Sequence, residues 1–574
     1  MTSAAGRAPA VDSPGAPHPP GAPALDPPGA LDPPKPHLTR ADLAWILGAR
    51  VLVSALVIAF GFRAVSDDDF SRVVIAEQFA LAPKLDPSGT SWLPFPFWLT
   101  GAVMGLFGSS LLVARIVAVV LGLVSSWLVA ESALRMTGER RTGVIAGCAC
   151  ALVGWSAWLG VATVPELFTA ALTLFAASTL ATRSPGARWL GALALLGATL
   201  SRYEPWPVAA VFAAWNLARP SSEDAPTSER GRTGGAALRW MQSGAASLLA
   251  VAGPISWIAW NRLAHGDAFH FVARVTAYRR ALGESASESM LARLVAYPGA
   301  LVREMPEIVI PSLVVAVLAA MPSRRARVLP GLRACAAPLA LAAVQVVALS
   351  LALVKDGAPT HHPERAVLFP ALALVITCAA TLPHVLRRAP TTALTPAELA
   401  PSEEPPRTPP RSRIAWLAIA GVLLARAAVM PAVARAQGPA APGLGPHLVR
   451  LVTPREAFID RSPEEDIGAL AAREAPAGRP IFIAGVQDYA YFAIFAGSGR
   501  PDDFVLDREI DPRKPPTDNT PAALARRLRE SGATHVIARI DGAGPTGVPA
   551  LAPVARNSRY GVWPAASCAG VYNP

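Results

Sequence analysis

The feature that most constrains this chain is a succession of long apolar runs. About eleven stretches of near-spanning length follow one another, at residues 42–62, 111–133, 142–161, 165–182, 187–201, 204–218, 237–260, 306–321, 332–354, 365–383 and 413–434. A bilayer needs ~20 apolar residues per helical crossing. In the hydrocarbon layer every backbone polar group must be satisfied internally, so runs of this kind become helices that pack side by side. Composition agrees: 52% of the 574 residues are hydrophobic and 16% are charged, against ~25% charged in an ordinary soluble domain. The fold class expected is an α-helical polytopic membrane protein of about eleven spans, with a small C-terminal α/β domain outside the cytoplasm.

Three domains follow from the changes in composition. Residues 1–40 form a Pro/Ala-rich tail without apolar periodicity, expected to be disordered and cytoplasmic. Its position and the length of the first run do not fit a cleaved signal peptide. Residues 41–437 form the membrane domain. Residues 438–574 turn polar, and a buried strand at Pro480–Gly485, a helix at Ala522–Ser531 and a strand at His535–Ala538 predict a small α/β unit. The stretch Pro94–Phe107 is apolar but broken by prolines, which points to an interfacial or re-entrant segment.

Orientation comes from the basic residues, which concentrate in cytoplasmic connections. With the N-terminus inside, alternate connections are basic: Arg135–Arg141, Arg183–Arg188, Arg219–Arg239, Arg324–Arg333 and Arg387–Arg413. The C-terminal unit then lies outside. The net charge of +11 is accounted for by these connections and not by nucleic-acid binding. Cys148, Cys150, Cys335 and Cys378 sit in apolar runs and Cys568 stands alone, so neither a disulfide framework nor a zinc pattern follows. Charges near the middle of spans are few apart from Arg115 and Arg426.

The polar clusters at span ends all fall on the outer side. The first is Ser66-Asp67-Asp68-Asp69-Phe70-Ser71-Arg72, directly after the first span. Three adjacent carboxylates resist simultaneous ionisation, which suits a general base or a cation site; acids capping an interfacial helix are the plainer explanation. Pro165-Glu166 opens the fourth span, where the helix N-terminus alone favours a carboxylate. Arg202-Tyr203-Glu204 breaks two short spans and either holds a corner or faces a substrate cavity. His361-His362-Pro363-Glu364-Arg365 precedes the tenth span and offers an arginine suited to bidentate phosphate binding. Adjacent histidines without a third ligand make zinc a poor reading. The 261–305 loop is rich in arginine, with Phe271, Val275, Tyr278 and Leu282 at helical spacing, as in a surface-lying amphipathic helix. Trp92, Phe95, Phe97 and Trp98 read as interfacial aromatics, with a sugar-stacking role open to one of them.

In this order and on one face, the motifs resemble those of the GT-C superfamily of membrane glycosyltransferases. The acidic motif corresponds to Asp67-Asp68-Asp69, followed by Pro165-Glu166, Arg202-Tyr203-Glu204 and a His-x-x-Glu-Arg element matching at His361, Glu364 and Arg365. The resemblance covers about 40–437 and is nearer the mannosyltransferase branch than the oligosaccharyltransferases, whose Trp-Trp-Asp signature is missing. It implies inverting transfer of a sugar, mannose among the candidates, from a polyprenyl-phosphate carrier to a hydroxyl of a glycan, lipid or protein acceptor. Asp67 or Asp68 would be the base; Asp69, Glu166, Arg202, Glu204, His361, His362, Glu364 and Arg365 would bind substrate. No metal ligand and no cofactor are assigned, and a divalent cation is left open. The alternative from another class, a transporter or flippase for a lipid-linked glycan, predicts mid-span charges and an internal repeat.

Overall fold

The computed structural model describes residues 36–182, 184–219, 232–281, 289–355, 362–386, 417–428, 460–486, 489–509, 517–518, 520–540 and 552–568. His361, most of the N-terminal tail and the linker before the last apolar run lie outside them. Through Ala428 the described chain is helical. It runs α1 (Arg40–Ala59), α2 (Asp68–Leu81), α3 (Phe95–Phe107), α4 (Leu111–Thr137), α5 (Arg140–Leu152), α6 (Gly154–Leu159), α7 (Glu166–Thr179), α8 (Pro185–Thr199) and α9 (Trp206–Ala218). It continues α10 (Arg232–His265), α11 (His270–Ala281), α12 (Met290–Glu304), α13 (Pro306–Ala320), α14 (Pro322–Ala334), α15 (Ala336–Val354), α16 (Pro363–Ala366), α17 (Leu368–Leu386) and α18 (Leu417–Ala428).

Five of these are long and apolar enough to cross a membrane: α1, α4, Leu238–His265 of α10, α15 and Leu368–Val385 of α17. That makes the protein multi-pass; of the about eleven spans expected, five meet this length and composition among the described residues. Helices α3, α7, α9, α13 and α18 are apolar but shorter. The run 142–161 illustrates why. It is uniformly apolar, yet Val153 is extended and the helix restarts as α6. Hydropathy records the solvent that a segment prefers and not where its backbone turns. Pro94–Phe107 forms α3, 13 residues opened by Pro94 and Pro96, against α2 and α4. The 261–305 loop contains α11 and α12, and Phe271 on α11 is buried against Tyr203 and Trp206; Leu282 lies outside the described residues.

To the few mid-span charges expected, Arg115 and Arg426, the structure adds Arg50. It sits within α1 and is fully buried. All its nitrogens are engaged: Nε donates to Ser126 Oγ (2.9 Å), Nη1 to the Ser156 carbonyl (2.8 Å), and Nη2 to Ser156 Oγ (3.0 Å) and the Cys150 carbonyl (3.3 Å). Glycines make room for this. A Cβ on Gly122 of α4 would clash with the Gly160 carbonyl, and one on Gly160 with the Arg50 guanidinium. The turn after α6 is thereby pressed against α4, which sets the position of the segment 161–165.

Beyond α18 the chain forms a mixed five-stranded sheet with α19 (Ser462–Glu474), α20 (Tyr491–Ser498) and α21 (Pro521–Ser531). Its strands are β1 (Ile481–Ile483), β2 (Phe504–Leu506), β3 (His535–Arg539), β4 (Ala555–Arg556) and β5 (Tyr560–Pro564), in the order β2-β1-β3-β5-β4. β1 pairs in parallel with β2 and β3, and β5 is antiparallel to β3 and β4. The Ile-Phe-Ile of β1 is buried on both faces because side chains alternate: Ile481 and Ile483 pack with Ile467 and Ile494, Phe482 with Leu524 and Leu528. This unit rests on α2. Phe70, Val73 and Val74 cluster with Ala493 and Ala496, Gln78 donates to Asp502 (2.8 Å), and Arg115 of α4 grips Glu465 through two contacts (2.6 and 3.0 Å).

Candidate active site

Helix α2 begins at the acidic triplet, so its first-turn carboxylates sit in the favourable field of a helix N-terminus. Successive helical residues point about 100° apart, and the three acids are sorted by that rotation. Asp67 faces the α/β unit. Both its oxygens accept from Arg461, Nε to Oδ1 and Nη2 to Oδ2, each at 2.9 Å. Asp69 faces the bundle and is buried. It accepts from the backbone N–H groups of Val65 (3.1 Å), Ser66 (3.2 Å) and Thr163 (3.0 Å), and Thr163 Oγ1 donates to its carbonyl (2.8 Å). Burial pushes the Asp69 carboxyl up to about 6, against the opposing pull of Arg365 and these N–H groups.

Asp68 points into the space between. Its side chain is 31% exposed, and its Oδ2 lies 3.5 Å from Arg365 Nη1 and 3.9 Å from His362 Nε2. Arg365 is fully buried on α16, with Glu364 Oε1 3.9 Å from its Nε. Glu364 is also 3.3 Å from His362 Nδ1. Pro363 at the first position of α16 starts this single turn, which α17 then continues beyond Val367. The short helix presents His362, Glu364 and Arg365 to α2.

Glu166 and Glu204 converge on Arg202. Arg202 Nη1 lies 2.6 Å from Glu166 Oε1, and its Nη2 and Nε lie 2.6 and 2.9 Å from Glu204 Oε1. All three are largely buried. Each guanidinium nitrogen thus has a carboxylate partner, and the arrangement fixes the corner between α8 and α9 to the start of α7. The adjacent Tyr203 donates to the Ser91 carbonyl (2.5 Å) and accepts from Trp257 Nε1 (3.1 Å). A cavity of about 230 Å³ is lined by Glu166, Arg202, Glu204, Gln345, Arg365 and Phe369. A larger one of about 490 Å³, mostly apolar, runs between α3, α4 and α7 and touches Thr163, Pro165 and Ser201.

The structure therefore brings Asp68, His362, Glu364 and Arg365 together, with Glu166, Arg202 and Glu204 at the adjoining cavity. Asp67 and Asp69 face elsewhere, and His361 lies outside the described residues. Among the described residues no three His, Cys, Asp or Glu side chains gather in a metal-binding set. Sequence inspection missed Arg461, 394 residues from Asp67 and in no motif. It also missed Thr163 and gave Arg72 no role, although the i, i+4 spacing of Arg72 from Asp68 marks a shared helix face.

Residues 88–225 match a family model described as dolichyl-phosphate-mannose-protein mannosyltransferase. The matched segment holds Glu166, Arg202 and Glu204. No curated protein matches the chain significantly. Among solved structures, the apo state of ArnT from Cupriavidus metallidurans aligns at 14% identity and TM-score 0.50, over 93% of this chain and 100% of that one. ArnT bound to undecaprenyl phosphate aligns at 14% identity and TM-score 0.49, over 91% and 97%. The archaeal oligosaccharyltransferase AglB from Archaeoglobus fulgidus, in complex with an inhibitory peptide and a dolichol-phosphate, aligns at 13% identity and TM-score 0.44, over 88% and 70%. The resemblance to the GT-C glycosyltransferases drawn from the motifs is thus borne out, by the sequence of residues 88–225 and by a fold shared with ArnT across nearly the whole chain.

Proposed function

We propose that this protein is an inverting membrane glycosyltransferase that moves a sugar, mannose in the first instance, from a polyprenyl-phosphate carrier to an acceptor hydroxyl, with Asp68 as the general base. The observation that carries this reading is the sorting of the three aspartates. Asp67 is held by Arg461 and Asp69 by four donors, while Asp68 stays nearly a third exposed beside Arg365 and His362. A base must reach the proton it removes, and of the three only Asp68 is so placed.

In this mechanism Asp68 takes the proton of the acceptor hydroxyl as that oxygen attacks the anomeric carbon. The bond from the anomeric carbon to the phosphate oxygen breaks, and its electron pair stays on the phosphate. Arg365 faces the charge that develops there; a buried guanidinium fixed in advance stabilises it without reorganising. His362 lies beside Asp68 and Glu364, where it orients both carboxylates. Arg202, occupied by Glu166 and Glu204, is assigned to hold the cavity wall and not the phosphate. The mostly apolar recess between α3, α4 and α7, whose lining includes Thr163 and Ser201, is the surface assigned to the isoprenoid chain. The alternation of basic connections supports a cytoplasmic N-terminus and an extracytoplasmic site and C-terminal unit.

The test uses membranes from cells producing the full chain, supplied with radiolabelled polyprenyl-phosphate mannose. Label is followed into glycan, lipid and protein fractions. Transfer above vector-only membranes is expected, with a loss of about 100- to 10,000-fold in Asp68→Asn, the range for a lost general base. Full activity in Asp68→Asn overturns the assignment of the base. No transfer or hydrolysis from any polyprenyl-phosphate sugar in a panel overturns the function.

A further inference from the structure

Helix α2 carries a buried arginine on the same face as Asp68. Arg72 lies one helical turn beyond Asp68 and is 7% exposed. Its Nε and Nη1 are buried without a hydrogen-bond partner, and it makes no ion pair among the described residues. The guanidinium carbon stands 4.4 Å from the ring centroid of Trp92 and 5.6 Å from that of Phe97, and the two rings stack on each other. Aromatic faces compensate a buried cation in part, but a guanidinium taken out of water with its N–H groups unmade is otherwise costly.

This wall is held in place from several directions. Trp92 N donates to Thr90 Oγ1 (3.1 Å) and Ser88 Oγ to the Trp92 carbonyl (3.0 Å). Tyr203 bonds the Ser91 carbonyl, and Arg274 of α11 bonds that of Gly89 (2.9 Å). Arg72 also shares its electrostatic surroundings with the proposed site. Burial pushes its pKa down from the ordinary value; Glu166 and Asp68 favour its charge, and Arg202 and Arg365 oppose it. A desolvated fork of N–H donors under an aromatic wall matches a phosphate group. The chemistry asks for such a group as well. A sugar-phosphate diester carries one negative charge, and the monoester that leaves carries up to two, so Arg365 alone does not match the product.

We propose that Arg72, beneath Trp92 and Phe97, is a second phosphate-binding residue of this site. The inference rests on the reading of a phosphate-linked donor. The shared chemistry is a phosphate oxyanion, whose source is either the carrier lipid or a free phosphate.

The experiment measures binding, not turnover, on the purified full chain in detergent. Its probes are a polyprenyl phosphate, the corresponding polyprenol and inorganic phosphate. Arg72→Gln is expected to weaken the polyprenyl phosphate at least 30-fold and leave the polyprenol unchanged. Arg72→Lys should recover part of the loss. Trp92→Leu, which opens the cover to water, should lose several-fold and serves if Arg72→Gln does not fold. Arg72-dependent binding of inorganic phosphate as tight as that of the lipid supports the site and assigns it to free phosphate. Equal binding of both phosphates by the wild type and the folded variants overturns the inference while leaving the proposed function intact. A wild type that binds no polyprenyl phosphate, and turns over no donor, removes the function itself.

Discussion

Arg50 and Arg72 lie on successive helices, both buried, and their surroundings are opposite. Around Arg50 the bundle closes completely: every nitrogen meets a hydroxyl or a carbonyl. Around Arg72 it supplies two aromatic faces and, among the described residues, no hydrogen bond to the side chain. The contrast separates two uses of one residue type. Where the protein satisfies a buried cation, the cation holds the fold together; where it leaves donors unmade, a ligand is the natural partner. The two regions are also joined. Arg50 holds α6, the turn at Gly160 follows, and Thr163 beyond it grips Asp69 and so the start of α2.

The largest effect expected from this comparison is at Arg50. Arg50→Ala removes the guanidinium from the Cys150 carbonyl and the Ser126 and Ser156 hydroxyls in the core, at a cost of about 3–5 kcal/mol from several buried groups left unsatisfied. The yield of monodisperse protein and its melting temperature should both collapse. Arg72→Gln should leave the melting temperature within a few degrees of wild type. Similar melting losses in the two variants would dissolve the distinction.

A smaller effect belongs to the clamp between α2 and the C-terminal unit. Arg461→Ala frees Asp67 from a guanidinium that engages both its oxygens, and a largely buried charge left unpaired is destabilising. Hydrogen exchange should rise in α2 and α19, and transfer should fall by roughly tenfold, well short of the loss expected for a missing base. Arg461→Lys should recover part of both, since a lysine keeps the charge without the fork.

The smallest effect is a pH dependence at the same interface. Glu77 of α2 is fully buried, with neither carboxylate oxygen hydrogen-bonded. Burial, aided by the Asp502 carboxylate, pushes it up to about 8 from 4.5. The folded state therefore holds this proton more tightly than the unfolded chain, and stability falls as pH rises from about 4.5 to about 8. Glu77→Gln should melt several degrees higher than wild type at pH 9 and at the same temperature at pH 4.5. A constant difference across that range would show that the carboxyl does not titrate there.

Much of this was legible in the chain itself, and the exceptions have physical causes. The apolar runs mark the helical bundle, and short motifs at their ends mark residues that do converge: Asp68, Glu166, Arg202, Glu204, His362, Glu364 and Arg365. Arg50 escapes notice because one arginine barely changes the average hydropathy of a 20-residue helix. The division of labour among three adjacent aspartates depends on the rotation of α2 and on what faces it, and Arg461 is contributed from the far end of the chain. The strand at Pro480–Gly485 and the helix at Ala522–Ser531 are where the pattern of apolar residues puts them. Their docking onto α2 is a tertiary fact that no local pattern encodes.

The most direct measurement of the central claim is a single-turnover comparison of Asp67→Asn, Asp68→Asn and Asp69→Asn with labelled polyprenyl-phosphate mannose, each variant first shown to be folded by its melting curve. Asp68→Asn is expected to stay folded and lose about 100- to 10,000-fold in rate. Asp67→Asn should lose no more than the roughly tenfold expected for Arg461→Ala, and Asp69→Asn should lose stability before it loses chemistry. A folded Asp68→Asn that transfers sugar at the wild-type rate, beside a folded and inactive Asp67→Asn, would contradict the assignment.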